Sequence, residues 1–163
     1  MVQNKQVIYA KKRVRRLGRF LFALYVAALI YFLFFADWFA HHPGRYWEYT
    51  CNFMPLREIR RFAGVWQREP SPGAFLNLFG NVIGFIPFGF FLPVMSRKFR
   101  KASCAAAFGF LFSAAVECIQ LVTRAGCCDV DDVILNTAGA LLGYGLFLIC
   151  DRLRIKVHGE VYG

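Results

Sequence analysis

Apolar residues in this chain fall into four long runs, 17–38, 74–95, 102–123 and 133–150, separated by polar segments. Each run is about the length that crosses a bilayer as a helix, roughly 17–25 residues. The pattern predicts an all-α membrane protein, a bundle of four transmembrane helices. The first run follows a basic segment holding Lys5, Lys11, Lys12, Arg13, Arg15, Arg16 and Arg19. A signal peptide opens in the same way, but its apolar stretch is about 7–15 residues, so 17–38 is expected to be retained as the first helix.

From 41 to 73 the chain leaves the lipid, with Pro43-Gly44 and Pro70-Ser71-Pro72-Gly73 as breakers at the two ends. Within this segment Asn52 is a candidate helix cap, with Pro55 in the first turn. On a helical wheel Ile59, Phe62, Ala63 and Trp66 share one face, and Arg57, Arg60 and Arg61 share another. The spacing predicts a short amphipathic helix lying on the membrane surface. Its arginines either snorkel to phosphates or grip a particular anionic head group.

The apolar runs also carry residues that lipid does not favour. In the second, Asn77, Gly80, Asn81 and Gly84 share a helical face, and Pro87 is expected to kink the helix below them. Gly80 and Gly84 form a small-xxx-small pattern through which a neighbouring helix is expected to approach, with the two amides bonding across the contact. The third run places Glu117, Gln120 and Arg124 on one face. The fourth is preceded by Asp129, Asp131 and Asp132, and Asp132, Asn136, Gly139 and Gly143 continue as a single stripe.

Composition and charge then fix the class. One domain, 1–163, follows from the length, and 58% hydrophobic with only 18% charged residues is too apolar for a soluble domain of this size. The net charge of +10 does not point to nucleic acid, because the basic residues cluster beside apolar runs, including basic tails at 1–16 and 151–163. With both termini cytoplasmic, fourteen Lys and Arg lie inside and six outside, the bias expected of short cytoplasmic segments in a cell-membrane protein. That orientation brings Asn77, Asn81, Glu117, Gln120, Asp132 and Asn136 to one depth in the outer leaflet. It predicts a polar pocket opening outward, roofed by the arginine-bearing helix.

Magnitudes separate packing from function at these positions. Interhelical hydrogen bonds return about 0.6 kcal/mol on average, whereas an acidic side chain at mid-membrane depth costs about 2.5–3.5 kcal/mol. Glu117 is therefore expensive as glue, unless Gln120 or Asn81 bonds it in neutral form. The aspartates at 129, 131 and 132 have an ordinary alternative reading, since Asp is favoured at a helix N-terminus. Cys104, Cys118 and Cys150 lie in apolar runs, while Cys51, Cys127 and Cys128 fall outside them. A disulfide from Cys51 to one of that pair is compatible with the sequence, which does not choose between them. No paired C-x-x-C, serine-nucleophile, phosphate-loop or H-E-x-x-H motif is present, so no cofactor and no metal site is expected, with an oxygen-ligand cation held by Glu117 and the aspartate cluster as the alternative.

Three separated blocks now carry a family resemblance: 77–89 (Asn77-Leu-Phe-Gly80-Asn81 through Pro87-Phe-Gly89), Glu117-Cys118-Ile119-Gln120, and 124–139 with Asp129, Asp131, Asp132 and Asn136. Together with Asn52-Phe53-Met54-Pro55-Leu56, they resemble the VanZ-like membrane protein family over about residues 50 to 150. The resemblance implies an association with tolerance to teicoplanin-type glycopeptides, and no particular reaction.

Three functions fit. One is a protein that binds an amphiphile or lipid head group, with Arg57, Arg60, Arg61, Asn77, Asn81, Gln120, Arg124, Asp129, Asp131 and Asn136 as candidate ligand contacts. Its partner would be a membrane lipid, a lipid-linked cell-envelope molecule or a lipoglycopeptide. Another is an intramembrane enzyme acting on a lipid-linked substrate, with Glu117 as general acid or base and Asp132 as its partner. The last is a structural or transporter subunit. Oligomeric state is not written in the sequence.

Overall fold

A computed structural model describes residues 16–34, 51–66, 72–123 and 128–159. The basic N-terminal segment, the end of the first apolar run, the breaker pairs around 43 and 70, and Arg124 and Cys127 lie outside these residues. The protein is all-α. Helix α1 spans Arg16–Phe34, α2 Arg57–Trp66, α3 Pro72–Met95, α4 Ala102–Thr123 and α5 Val130–Gly159. Four of them, all but α2, are long and apolar enough to cross a membrane, and the chain is a multi-pass membrane protein. The fourth long helix starts at Val130 and runs to Gly159, so the segment read as a basic tail from 151 is helical through Gly159.

Helices α3 and α5 run parallel, and their contact is the closest in the bundle. A Cβ added at Gly139 would overlap the carbonyl oxygen of Val82, one at Gly143 that of Ile86, and one at Gly89 that of Ala140. Two glycines of α5 at helical spacing, and one of α3, thus let backbone meet backbone. In lipid, where apolar burial gives no preference for protein over acyl chain, such close van der Waals contact is the main source of helix association. Among the described residues, the small-residue pair expected at a helix contact is met at Gly84 alone, and by α1 rather than α5. Gly80 has nothing within 4 Å of an added Cβ, and Gly84 meets only Leu29 of α1, at 3.6 Å. The seam lies on another face of α3, where the glycines of α5 face the carbonyls of Val82 and Ile86.

Helix α4 runs antiparallel to α5, with Gly109 against Ala140 and Ser113 against Asn136. Helix α1 lies antiparallel along α3: Gly18 faces Val94, Phe22 faces Phe88 and Phe91, and Leu29 faces Gly84. Phe85, Phe88 and Phe112 stack at 5.2–5.9 Å between α3 and α4 and fill the core with Leu29, Leu92 and Ala140. Helix α3 is continuous through Pro87 and Pro93. Neighbours serve the carbonyls near these prolines, as lipid requires: Tyr25 of α1 donates to the Gly84 carbonyl, and Arg100 Nε donates to that of Pro93 at 3.5 Å.

The two ends of the bundle differ. At one, the turn 96–101 joins α3 to α4 through a single 3-10 turn at Arg97–Phe99, where Ser96 Oγ accepts the Lys98 N–H. Arg100 there stacks on Phe147 and lies 3.6 Å from Asp151. At the opposite end α2, the start of α5 and the last turns of α4 meet.

A candidate functional site at the polar end of the bundle

Two extended residues anchor this end. Asn52 pairs with Asp129 in an isolated parallel bridge. The Asn52 N–H donates to the Cys128 carbonyl at 2.8 Å, and the Val130 N–H donates to the Asn52 carbonyl at 3.0 Å. The Asn52 amide adds a bond to Asp129 Oδ1 at 2.8 Å, and its Oδ1 accepts the Met54 N–H at 3.2 Å. Asn52 therefore does not cap the helix after it: it closes a local turn and ties the loop to α5. Pro55 likewise sits in the turn before α2 rather than inside the helix.

The cap of α2 comes from another helix. Asp131, only 1% exposed, accepts the Leu56 N–H at 2.5 Å through Oδ1, and the Glu58 and Ile59 N–H groups at 2.8 and 3.2 Å through Oδ2. These are N–H groups that a helix start leaves without intrahelical partners. Leu56, just ahead of the helix, has φ 65°, a left-handed conformation that a bulky side chain rarely adopts. The surrounding hydrogen bonds hold it there.

The three aspartates thus have three different partners. Asp129 caps its own helix, accepting the Asp131 N–H at 2.8 Å. Asp131 caps α2. Asp132 accepts the Asn81 amide of α3 at 2.5 Å. All three lie at the start of α5, where the helix dipole favours a carboxylate, but only Asp129 is seen capping that helix, while Asp131 and Asp132 reach other helices.

Glu117, 7% exposed, accepts the Asp129 N–H at 2.8 Å. In an ordinary capping box a glutamate of the same helix reaches back to that N–H; here α4 supplies it. Gln120 donates to the Leu33 carbonyl near the end of α1 at 3.0 Å. Asn81 thus bonds Asp132, and Gln120 bonds the Leu33 carbonyl. Asn136, one turn after Asp132, donates to Ser113 Oγ at 2.8 Å, while its own Oδ1 is buried with no partner among the described residues.

On α2, Ile59 and Phe62 are half-buried while Arg57, Arg60 and Arg61 are exposed, the division the wheel predicts. Arg61 pairs with Glu58 at 2.6 Å and stacks on Phe62. Arg57 and Arg60 make no ion pair among the described residues. Beside them Phe53 and Met54 are 67% and 66% exposed. The structure therefore brings Asn81, Glu117, Gln120, Asp129, Asp131, Asp132 and Asn136 to one end of the bundle. The Asn77 side chain and Arg124 are outside the described residues. Among the described residues no cluster of His, Cys, Asp and Glu could hold a metal ion.

Sequence reasoning missed Ser113, Tyr25 and the role of Asp131. One signal for Asp131 was present: the residue before Arg57 is Leu56, which offers no side-chain acceptor, so the cap of α2 had to come from elsewhere.

Comparison with known proteins agrees with the blocks that form this end. The profile of a family described as VanZ/LLP1 matches residues 22–151. Protein VanZ from Enterococcus faecium is 31% identical over 139 residues, covering 83% of this chain and 76% of that protein. No solved structure matches the chain.

Proposed function

The chain belongs to the VanZ/LLP1 family, and from that premise we propose that it binds an amphiphile with an anionic head group at the outer leaflet, with both termini cytoplasmic. The observation that carries the reading is the clamped surface helix. Arg57 and Arg60 stand exposed on a helix whose start is held to the bundle by Asp131, with exposed Phe53 and Met54 alongside. Fixed cations beside apolar side chains suit a molecule that is anionic at one end and greasy at the other. Arg61, partly neutralised by Glu58, contributes less. On this reading the outward polar pocket expected from the sequence would lie beneath this helix, at Asn81, Asp132 and Asn136. Occupying such a molecule where it meets the cell wall is the way this protein would confer tolerance to a lipid-bearing glycopeptide of the teicoplanin type.

The enzyme reading has less support. Glu117 and Asp132, its candidate acid–base pair, each accept a hydrogen bond that joins helices, and a group engaged as a tie is poorly free to move protons.

The test uses the full chain in nanodiscs of phosphatidylcholine with and without phosphatidylglycerol. Native mass spectrometry should find phosphatidylglycerol retained by the wild type and lost in the double variant Arg57→Gln, Arg60→Gln, with the fold unchanged. Equal retention by both proteins would overturn the reading.

A further inference from the structure

Cysteines at 51 and 128 lie far apart in sequence and side by side in the fold. The bridge pairs Asn52 with Asp129 in parallel register, so the residues one position earlier, Cys51 and Cys128, are the next pair across it. The Asn52 N–H bonds the Cys128 carbonyl at 2.8 Å, which fixes the Cys51–Asn52 peptide against Cys128. In a parallel ladder, laterally adjacent residues of two strands present their side chains to the same face. Both thiols are free; Cys128 is buried at 8% exposure and Cys51 is partly exposed.

We propose that Cys51 and Cys128 are a reversible disulfide pair that staples the entry of the surface helix to the start of α5. The staple joins the elements that the Asn52–Asp129 bridge and the Asp131 cap already join, and makes their contact covalent. It selects Cys128 over Cys127 as the partner of Cys51, which sequence alone left open. The inference does not depend on the head-group reading, because it follows from bridge register.

The chemistry is thiol–disulfide exchange with a small-molecule disulfide as oxidant. The Cys51 thiolate attacks one sulfur of oxidised glutathione, whose other sulfur leaves as a thiolate, giving a mixed disulfide on Cys51. The Cys128 thiolate then attacks the Cys51 sulfur and displaces the second glutathione thiolate. Two protein thiols become one disulfide, the oxidant's disulfide becomes two thiols, and the protons of the protein thiols pass to the leaving thiolates. The order follows from the environments. Burial, with the nearby Glu117 carboxylate and other neighbours, pushes the Cys128 thiol above its ordinary range, so the more exposed Cys51 attacks first.

The experiment compares wild-type protein in detergent after oxidised glutathione with the same protein after a phosphine reductant. Free thiols are alkylated and peptides mapped by mass spectrometry. The oxidised sample should yield a Cys51–Cys128 linked peptide, with Cys104, Cys118 and Cys150 alkylated, and the link should vanish in Cys51→Ser. Amide exchange over residues 52–59 should slow about tenfold on oxidation, as expected of a cross-link that suppresses local opening. Alkylation of both Cys51 and Cys128 after oxidation, a Cys51–Cys127 link, or a lasting glutathione adduct on Cys51 would each overturn the pairing. A correct link with unchanged exchange would overturn its role as a staple.

Discussion

The seam between α3 and α5 and the polar end around Asp131 both hold helices together, by opposite means. At the seam nothing polar in a side chain takes part: Gly89, Gly139 and Gly143 are useful because they have no side chain, and carbonyl oxygens fill the space a Cβ would need. At the polar end side chains make most of the joins: Glu117 and Asp131 accept backbone N–H groups of other elements, Asn52 bonds Asp129, and Asn81 bonds Asp132. The seam depends on the absence of atoms and tolerates no addition. The polar end depends on oxygen acceptors and tolerates change as far as an acceptor survives. Packing in a lipid-exposed bundle needs shape, whereas a loop and a surface helix leaving the lipid need their backbone groups satisfied.

Substitution at the seam gives the largest effect. Gly143→Leu forces a side chain into the Ile86 carbonyl and the neighbouring backbone of Phe90. Displaced backbone, unlike a flexible side chain, does not yield cheaply, and the cost should be about 3 kcal/mol or more. Thermal unfolding in detergent should show the α3–α5 pairing lost, with most of the protein aggregating. A stable Gly143→Leu protein would mean that the seam is looser than its geometry.

Asp131→Ala should rank next. It leaves the Leu56, Glu58 and Ile59 N–H groups without their acceptor, at about 2–3 kcal/mol. The loss should be local, with hydrogen exchange rising over 56–60 while the α3–α5 amides stay protected. Asp131→Asn keeps one carbonyl oxygen and should fall between wild type and Ala. Uniform loss of protection along α3 and α5 would show that the two regions fold as one unit and are not separable as described.

How much of this was legible in the sequence follows the same division. Element identity came from local patterns: apolar length gave the four long helices, and the alternation of Arg57, Arg60 and Arg61 with Ile59 and Phe62 gave α2. The convergence of polar residues at one end also followed, since helix direction alone places Asn81, Glu117, Gln120, Asp132 and Asn136 together. Which group bonds which did not follow. The Asp131 contacts with α2 span 72 to 75 residues of chain, and no local propensity distinguishes an aspartate that caps its own helix from one that caps another. The glycine seam was misread for a related reason. Gly80 with Gly84, and Gly139 with Gly143, carry the same spacing, and only the rotation of each helix decides which pair faces a neighbour.

Glu117→Gln should have a smaller effect than either change above. The glutamine amide oxygen can still accept the Asp129 N–H, so stability should fall by about 1 kcal/mol. The fold should persist with the bridge at Asn52 intact, as judged by protection of the Val130 amide. If this folded variant lost resistance-related activity while the arginine variants kept it, the carboxylate would carry chemistry and the enzyme reading would replace the binding one.

The smallest effect comes from a glycine outside both regions and sharpens the contrast between glycines. Gly80 shares the small-xxx-small spacing of the seam, but an added Cβ there has open space within 4 Å. A methyl group at this position displaces nothing, and alanine loses less backbone entropy than glycine in a helix. Gly80→Ala should therefore be neutral or stabilising by up to about 1 kcal/mol, seen as a small rise in detergent unfolding temperature. Gly139→Ala, the same change at the same kind of motif, meets the Val82 carbonyl and should lower that temperature. Measured side by side, the two variants differ only in what the helix faces. Equal destabilisation would imply that Gly80 packs against an element outside the described residues or against a second protein.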